Sequence, residues 1–273
     1  MFNNIKRDLK LEESTEEMNA LIFATLNYFG VSKTDVISDK PVDLDYSKLS
    51  PVISRLNQHE PLQYILNEAW FYGRNFFVDP SVLIPRPETE LIVEESKKVL
   101  CGAGGRILDI GTGSGCIALS IALEFPQAIV TGIDVSEAAL EIARKNAKAL
   151  DVPVAFQKAD ILNGLPTDWN FDLIVSNPPY ISVQEKSSLP ENVIRHEPHL
   201  ALFASETDPL VFYRAIAKAA KQTLRPNGVL IVEINEHFGG NVKTIFNQAG
   251  FAHTQIIKDF YGKDRVISAQ IGR

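Results

Sequence analysis

The chain has 273 residues, of which 45% are hydrophobic and 22% charged, a composition that is typical of a globular protein and excludes a disordered or collagen-like chain. Its 34 acidic and 27 basic side chains give a formal net charge of −7, so no general field draws the chain to nucleic acid or to an anionic membrane. The cysteines are too few for a disulfide scaffold, and no apolar run approaches the roughly 18 residues of a membrane span. We therefore expect a cytoplasmic protein with no membrane or nucleic acid partner.

The first part of the chain carries the signals of short helices. Ser14-Thr15-Glu16-Glu17 is a capping box, and the apolar residues after it recur at helical spacing as far as Gly30. Ser50-Pro51 places a cap and a first-turn proline before a second helical stripe, which Pro61 closes. These signals predict a helical domain over residues 1–68.

Two short aromatic runs follow the helical part. Trp70-Phe71-Tyr72 and Phe76-Phe77-Val78 lie on either side of a turn that contains Gly73. Aromatic residues are frequent in strands, and a glycine between two such runs is typical of a hairpin. The pattern predicts a β-hairpin linker over residues 69–90.

The rest of the chain, residues 91–273, alternates apolar runs with helical patterns, which predicts an α/β domain. Strands are expected over residues 106–110, 128–134, 154–158, 171–176, 229–234, 253–258 and 266–270. Helices are expected over residues 116–125, 137–150 and 209–224. The last two strands are joined by a loop too short for a crossover helix, so they must be antiparallel. Residues 181–205 show no clear element and are expected to form a long loop, either functional or without a role.

A glycine-rich loop follows the first strand of this domain. Leu108-Asp109-Ile110-Gly111-Thr112-Gly113-Ser114-Gly115 places three glycines between a strand and a helix, where bare backbone and the helix N-terminus can approach a nucleotide-like ligand. Asp134 ends the next strand, where an acid can accept hydrogen bonds from ribose hydroxyls. A structural turn and a helix cap are the alternatives for these two features.

The spacing of the glycines separates two cofactor classes. A dinucleotide fingerprint has its third glycine, or an alanine, at the position that Cys116 occupies here. With the antiparallel last strand, the domain instead resembles the seven-stranded Rossmann-like fold of S-adenosylmethionine-dependent methyltransferases. That resemblance implies that Gly111, Thr112, Gly113, Ser114 and Gly115 lie against the methionine part and ribose of the cofactor, that Asp134 holds the ribose hydroxyls, and that Asp160 lies near the adenine amino group. A helix cap is the alternative for Asp160.

Asn177-Pro178-Pro179-Tyr180 follows a buried-type strand, at the carboxyl end where open α/β sheets bind ligands. Because proline has no N–H and a fixed φ, the carbonyls at this corner stay free and rigidly oriented. The Asn177 carboxamide oxygen and the Pro178 carbonyl could each accept one hydrogen of a planar NH₂ group, against which the Tyr180 ring packs. Asn177, Pro178 and Tyr180 are therefore the predicted catalytic residues, and with Pro179 the predicted substrate site. A simple turn after the strand is the alternative.

Two other features have less specific interpretations. Cys116 stands at a helix N-terminus, which could lower its thiol pKa, but a small buried packing residue is the favoured interpretation because no base lies nearby in the sequence. His196 and His199 suggest no third ligand, so we expect a hydrogen-bonding role in the loop and predict no metal.

Longer runs resemble one family across nearly the whole chain. They are Pro61-Leu62-Gln63-Tyr64-Ile65, the 71–78 hairpin, Leu83-Ile84-Pro85-Arg86-Pro87-Glu88-Thr89-Glu90, the glycine loop and Asn177-Pro178-Pro179-Tyr180-Ile181. In this order they resemble the peptide chain release factor glutamine methyltransferases, the PrmC/HemK family. Arg86 and Glu90 in this run either belong to the site or tie the hairpin to the first helix of the α/β domain.

The family resemblance implies an activity and its partners. It implies S-adenosylmethionine as cofactor, with Asn177 bordering both ligands, and N5-methylation of the glutamine in the Gly-Gly-Gln motif of class 1 release factors. It further implies that the helical N-terminal domain grips the factor, and we expect a monomer. A DNA or RNA adenine or cytosine amino-methyltransferase is the enzymatic alternative, since these bases also present a planar NH₂ group. A non-catalytic ligand-binding module is the third possibility.

Overall fold

The computed structural model describes residues 2–11, 14–38, 40, 44–101, 104–205 and 207–272. The chain divides into two compact units. The first comprises Met1–Glu68 and Leu189–His196, and the second comprises Ala69–Ser188 and Glu197–Arg273. In the part of the chain that the structure describes, no helix is both long and apolar enough to span a bilayer.

The first unit is built from short helices around a small apolar core. Its helices are α1 (Phe2–Asp8), α2 (Thr15–Tyr28), α3 (Lys33–Ile37), α4 (Tyr46–Leu56) and α5 (Leu62–Leu66). The capping box before α2 is confirmed: Ser14 Oγ accepts from Glu17 N at 3.2 Å, and Glu17 Oε2 accepts from Ser14 N at 3.1 Å. The fully buried side chains of Ile22 and Leu26 place the apolar face of α2 in the core.

The predicted start of the second helix is wrong. The helix α4 begins at Tyr46, and its N-cap is Asp45, whose carboxylate accepts from Ser47 N at 2.9 Å. Pro51 therefore lies inside α4, where it cannot donate the backbone hydrogen bond that other residues at that position make. The Ser50-Pro51 pair resembles a helix start, but Asp45 already caps this helix five residues earlier.

The second unit opens with the predicted hairpin. Its strands β1 (Ala69–Phe71) and β2 (Arg74–Phe76) are antiparallel, and the turn between them places Tyr72 at φ 48° and Gly73 at φ 75°. A 3₁₀ turn at Pro87–Thr89 leads into α6 (Glu90–Leu100). Glu90 Oε1 accepts from Tyr72 N at 2.7 Å, so this residue fastens the hairpin to α6.

The remaining elements alternate strands with helices. They are β3 (Arg106–Ile110), α7 (Cys116–Glu124), β4 (Ile129–Asp134), α8 (Glu137–Leu150), β5 (Ala155–Lys158), a 3₁₀ turn (Ile161–Asn163), β6 (Phe171–Ser176), a 3₁₀ turn (Val183–Ser188), α9 (Glu191–His196), α10 (His199–Leu202), α11 (Val211–Thr223), β7 (Leu224–Glu233), α12 (Gly239–Gln248), β8 (Phe251–Lys258) and β9 (Asp264–Ile271). The helix α9 belongs to the first unit.

The strands β3 to β9 form a seven-stranded sheet in the order β5-β4-β3-β6-β7-β9-β8. The pairs from β5 to β7 are parallel, whereas β9 runs antiparallel to both β7 and β8. The predicted α/β fold with an antiparallel last strand is therefore confirmed. Separate apolar clusters cover the two faces of the sheet. One contains Leu108, Ile174 and Leu230, and the other contains Ile107 and Leu173.

The register of the parallel strands brings their carboxyl ends to one edge. Ile110 of β3 pairs with Ile133 of β4 and with Ser176 of β6, and Ser176 pairs in turn with Val232 of β7. The residues that follow these positions therefore leave the sheet side by side. They are Gly111, Asp134, Asn177 and Glu233.

Three parts of the second half depart from the sequence predictions. Residues 181–205 contain helical turns rather than one loop, and Ile181 forms a parallel bridge with Phe203. The strand β7 starts at Leu224 rather than at residue 229, with a register shift in its pairing to β6 and Asn227 at φ 65°. The helix α12 was not predicted, because its first turn begins with two glycines, which are weak helix formers.

The unpredicted helix α12 is held by packing, and this sets a stability test. Phe246 on α12 is fully buried against Phe251, with ring centroids 5.8 Å apart. We expect Phe246→Ala to lower the free energy of unfolding by about 3–5 kcal/mol, measured by urea denaturation. The exposed Lys243→Ala on the same helix is the control and should stay within about 0.5 kcal/mol of the wild type. Equal effects of the two variants would contradict this packing.

Candidate active site

A pocket lies in the second unit at the carboxyl edge of the sheet. Its walls come from the loop after β3, the ends of β4 and β6, the segment before α6 and the segment around α10. Among the residues predicted for the site, those that line the pocket are Gly111, Thr112, Gly113, Ser114, Asp134, Asp160, Asn177, Pro178 and Pro179. The predicted residues Gly115 and Tyr180 take other positions, described below.

The glycine loop turns away from β3 through backbone conformations that favour glycine. Gly111 and Gly113 have φ values of 72° and 53°, and the N–H groups of Gly111 and Thr112 both donate to Ile133 O at 2.9 Å. A Cβ added at Gly113 would meet no atom within 4 Å, so this residue leaves open space beside bare backbone. The loop therefore presents a cradle that side chains would narrow.

Gly115 is required by helix packing. Its φ is 81°, and an added Cβ would stand 3.1 Å from Leu119 Cδ1 and 3.2 Å from Ala143 Cβ. Such contacts are tighter than ordinary van der Waals packing, so a side chain here would push α7 away from α8. Gly115 thus supports the cradle from behind by allowing α7 to start close to α8.

Asp134 joins the end of β4 to the glycine loop. Its Oδ2 accepts from Gly113 N at 3.0 Å, and its Oδ1 accepts from Ser136 N at 2.9 Å. Burial raises the pKa of the Asp134 carboxyl, and these backbone N–H donors oppose that rise by favouring the ionised form. A carboxylate oxygen has two lone pairs, so each oxygen keeps acceptor capacity for a hydroxyl in the pocket.

A second acid beside the loop was missed by the sequence interpretation. Asp109 in β3 is fully buried, and its Oδ2 accepts from Thr112 Oγ1 at 2.7 Å. Burial raises the pKa of the Asp109 carboxyl to about 7, against an ordinary value of 3.8. The signal that could have found it is a lone acid between the apolar residues Leu108 and Ile110 of the strand.

Asp160 takes the local role that was its alternative, and Cys116 takes the packing role that was favoured for it. Asp160 Oδ1 accepts from Leu162 N at 2.9 Å and caps the 3₁₀ turn, so the helix-cap interpretation is confirmed at a residue that also lines the pocket. Cys116 is buried in the apolar cluster, and burial raises the pKa of its thiol to about 12. The packing interpretation of Cys116 is confirmed by its burial among the apolar side chains of this cluster.

Arg86 lies on the pocket wall and is held there by an acid. Its guanidinium donates to Glu197, whose carboxylate is almost fully buried and also accepts from Ile84 N at 3.3 Å. This pair ties the Leu83–Glu90 run to the segment that precedes α10. His196, one residue before Glu197, has its Nε2 3.2 Å from Gln58 O in the first unit, the hydrogen-bonding role expected for it.

The Asn-Pro-Pro-Tyr segment follows β6 directly. Ser176 Oγ donates to Ile110 O at 2.8 Å and fixes the end of β6 against β3. Asn177 then lies partly exposed on the pocket wall, and its Nδ2 donates to Thr89 Oγ1 at 3.1 Å. Within the described ranges, no hydrogen bond reaches Asn177 Oδ1 or the Pro178 carbonyl. Two acceptors are therefore available at this corner.

Tyr180 packs against the apolar cluster that contains Leu230, and its hydroxyl donates to Glu233 Oε1 at 3.0 Å. The other carboxylate oxygen of Glu233 accepts from Thr89 Oγ1 at 2.6 Å. Burial raises the pKa of Glu233, and these two hydroxyl donors, with the positive charge of Arg265, oppose the rise. Thr89 belongs to the Leu83–Glu90 run, but its contact with the site was missed because Thr89 and Glu233 both lie far from Asn177 in sequence.

The geometry suits a nucleoside-bearing ligand beside a planar amide. Bare backbone at Gly111 and Gly113 allows close approach, Asp134 can accept from hydroxyls, and Ile133 and Ile161 give the wall an apolar part. This donor and acceptor set fits S-adenosylmethionine, which carries a ribose, an adenine and a charged methionine part.

Comparisons with known proteins agree on one kind of enzyme. Residues 87–201 match the model of the family described as Methyltransferase small domain. The chain is 42% identical to a release factor glutamine methyltransferase of Bacteroides thetaiotaomicron, over 97% of each chain. It is 41% identical to a release factor glutamine methyltransferase of Flavobacterium psychrophilum, over 92% of this chain and 91% of the relative. A solved methyltransferase of Pyrococcus furiosus shares the fold, with a TM-score of 0.55 and 21% identity over 82% of this chain and 100% of that one.

The buried acid of β3 generates a pH-dependent stability. Because the pKa of Asp109 is about 7 when folded and near 3.8 when unfolded, the folded protein retains a proton that the unfolded chain releases between about pH 4 and pH 7. Its contribution to the free energy of unfolding is complete below about pH 4 and is lost as the pH rises through 7, by at most roughly 4 kcal/mol.

Urea unfolding of the ligand-free wild type and of Asp109→Asn, from pH 5 to pH 8, measures this contribution. We expect the wild type to lose stability relative to the variant as the pH rises, because Asn does not ionise. The exposed Asp168→Asn is the control and should follow the wild type throughout. A difference between wild type and Asp109→Asn that stays constant with pH would rule out the raised pKa.

Proposed function

This chain belongs to the release factor glutamine methyltransferase family, and from that premise we propose how its pocket performs the family's reaction. The protein transfers a methyl group from S-adenosylmethionine to the side-chain amide nitrogen of a glutamine in a peptide chain release factor. The finer substrate, the glutamine of the Gly-Gly-Gln motif in class 1 factors, is our proposal. The observation that supports an amide as the acceptor group is the pair of hydrogen-bond acceptors at Asn177 and Pro178, on the wall of a pocket that the glycine loop also lines.

The cofactor site in this proposal is the cradle after β3 and β4. When bound, S-adenosylmethionine supplies a methyl group activated by its sulfonium charge. The backbone from Gly111 to Ser114, which lines the pocket, would hold the methionine part and ribose, and Gly115 allows α7 to start close behind it. Asp134 would accept from the ribose hydroxyls, and Asp160, also on the pocket wall, would hold the adenine amino group. Asn177 stands between this cradle and the substrate.

The substrate site in this proposal is the corner after β6. Asn177 Oδ1 and the Pro178 carbonyl each accept one hydrogen of the glutamine NH₂ group. Pro179 keeps the backbone at this corner rigid, because its ring fixes φ and removes an N–H that could compete. Tyr180 supports the corner through its packing and its hydroxyl bond to Glu233. The amide is thereby held in one orientation toward the cofactor.

This grip addresses the main chemical difficulty of the reaction. An amide nitrogen delocalises its lone pair into the carbonyl and is a poor nucleophile. Two fixed acceptors favour a more pyramidal nitrogen whose lone pair points at the methyl group, and they place partial negative charge where positive charge develops. The nitrogen loses one proton when it gains the methyl group, and this proton passes to solvent rather than to Glu233, whose carboxylate is buried and engaged by two hydroxyls.

The other parts of the proposal concern partners. We assign contact with the body of the release factor to the helical unit of residues 1–68, and we expect the enzyme to act as a monomer in the cytoplasm without nucleic acid. The DNA or RNA amino-methyltransferase alternative is not favoured, because the relatives that match nearly the whole chain are release factor glutamine methyltransferases.

Intact-mass and peptide analysis tests the proposed substrate. A class 1 release factor is incubated with the protein and S-adenosylmethionine, beside the same factor with its Gly-Gly-Gln glutamine replaced. One added methyl group on that glutamine, absent from the replaced factor, is the expected result. Measured cofactor binding without any methylation of the factor would overturn the proposal and make nucleic acid the next substrate to test.

Removing the amide acceptor should affect turnover rather than cofactor binding. We expect Asn177→Ala to lower kcat by roughly 10²–10³-fold, the scale of losing one preorganised hydrogen-bonding group, while the cofactor Kd changes little. The exposed Asn241→Ala is the matched control and should keep the wild-type kcat. Unchanged turnover in Asn177→Ala would reject the role of its side chain.

Removing the acid at the end of β4 should have the opposite pattern. We expect Asp134→Ala to weaken cofactor binding by roughly 10- to 100-fold, because a charged hydrogen bond to the ribose and the tie to Gly113 are both lost. Calorimetric titration measures the Kd, and Asp168→Ala serves as the exposed control. A Kd equal to that of the wild type would exclude Asp134 from the cofactor site.

A further inference from the structure

We propose that Thr89 and Glu233 are positioning residues that fix which way the Asn177 carboxamide faces, an inference that rests on the proposed function of Asn177. The side chains of Asn177, Thr89, Glu233 and Tyr180 form one continuous hydrogen-bond network. Asn177 Nδ2 donates to Thr89 Oγ1 at 3.1 Å, Thr89 Oγ1 donates to Glu233 Oε2 at 2.6 Å, and Tyr180 Oη donates to Glu233 Oε1 at 3.0 Å.

The number of protons available in this network determines which group donates and which accepts in each of its hydrogen bonds. The Thr89 and Tyr180 hydroxyls and the positive charge of Arg265 favour the ionised form of Glu233. In that form the carboxylate only accepts hydrogen bonds, so Glu233 takes the single hydroxyl proton of Thr89. Because its only proton is used in this way, Thr89 Oγ1 can act toward Asn177 only as a hydrogen-bond acceptor. The carboxamide must turn its NH₂ group toward Thr89, and its Oδ1 faces the other way, as the acceptor that the substrate NH₂ group requires.

Without this constraint the carboxamide has two orientations of nearly equal shape. A rotation by 180° about the Cβ–Cγ bond exchanges the positions of Oδ1 and Nδ2. The flipped carboxamide then presents an NH₂ donor to the substrate NH₂ group, which is itself a donor. In such a form the glutamine NH₂ group is not held for transfer, even when the rest of the release factor is bound. Thr89 and Glu233 thus raise the fraction of molecules that are ready for the reaction.

The burial of this hydrogen-bond network strengthens the preference for one orientation of the Asn177 carboxamide. Thr89 is 3% exposed and Glu233 is 1% exposed, so water does not readily replace either partner. A buried hydroxyl or carboxylate that loses its partner carries a desolvation penalty, which penalises every arrangement except the one observed. Arg265 adds positive charge near Glu233 and is itself paired with Asp259, its Nη2 3.0 Å from Asp259 Oδ2.

The hydrogen-bond network also connects separate elements of the second unit. Thr89 ends the 3₁₀ turn before α6, Glu233 is the last residue of β7, and Asn177 and Tyr180 follow β6. One carboxylate therefore positions both the residue that accepts the substrate amide and the tyrosine that supports it. This gives Thr89, in the Leu83–Glu90 run, a role in the reaction without any contact with the reacting atoms.

The test uses steady-state kinetics of the full chain with a class 1 release factor. Thr89→Val keeps the shape of the side chain and removes the hydroxyl, and we expect kcat to fall roughly 10- to 100-fold with KM and the cofactor Kd within about threefold of wild type. Thr89→Ser restores the hydroxyl and should recover most of the loss. The exposed Thr167→Val is the control.

A double-mutant cycle separates positioning from a general structural role. If Thr89 acts through Asn177, Thr89→Val causes no further loss in an Asn177→Ala background, because there is no carboxamide left to orient. Wild-type kcat in Thr89→Val, or its full effect in the Asn177→Ala background, would overturn the proposal. Glu233→Gln should give the same non-additive pattern, since a glutamine amide can both donate and accept and no longer determines the direction of the hydrogen bonds in the network.

A readout without substrate distinguishes this inference from the proposed function. The side-chain NH₂ resonances of Asn177, assigned by their loss in Asn177→Ala, are followed by NMR in the ligand-free protein. We expect slower hydrogen exchange of this group in the wild type and in Thr89→Ser than in Thr89→Val. Equal exchange in all three would contradict the inference even if methylation is observed, and the ordered result would support it even if the substrate is a different amide.

Discussion

The parallel pairing of β3 between β4 and β6 is the constraint on which the rest of the site depends. Because Ile110 pairs with both Ile133 and Ser176, the glycine loop, the acid of β4 and the Asn-Pro-Pro-Tyr segment leave the sheet at the same level. A shift of one residue in either pairing would reverse the faces of the strand and move a ligand-facing group into the core. The two apolar clusters on opposite faces of the sheet oppose such a shift.

Buried carboxylates are the second common feature of this edge. Asp109, Asp134 and Glu233 each have a pKa raised by burial, and each accepts hydrogen bonds from a hydroxyl or a backbone N–H. Burying an acid costs stability, and the hydrogen bonds recover only part of that cost. What the arrangement provides is rigidity: the acids fix the loop at Thr112 and Gly113 and, further along, the direction of the Asn177 amide before any substrate arrives.

Much of the fold and part of the site could be predicted from sequence because their signals are local. The capping box before α2, the glycine loop and the Asn-Pro-Pro-Tyr segment each depend on backbone preferences of a few neighbouring residues. The antiparallel pairing of β8 with β9 followed from the short connection between them, since a brief loop permits only an antiparallel pair.

The failures have physical reasons of the opposite kind. The helix α12 is stabilised by tertiary packing, which includes the buried Phe246 and outweighs the weak helix propensity of its two leading glycines. Thr89 and Glu233 are 144 residues apart, so only the folded sheet reveals their hydrogen bond. The start of α4 was misjudged because Asp45 and Ser50 are both good capping residues, and local pattern alone does not choose between them.

The central claim is that the glutamine amide nitrogen is held by Asn177 Oδ1 and the Pro178 carbonyl beside the glycine loop. A crystal structure of the protein with S-adenosylhomocysteine and a Gly-Gly-Gln peptide tests it most directly. The expected result is a glutamine nitrogen within about 3.2 Å of both oxygens, with the Asn177 NH₂ group still turned to Thr89. A glutamine side chain bound away from Asn177, with the cofactor product in place, would contradict the claim.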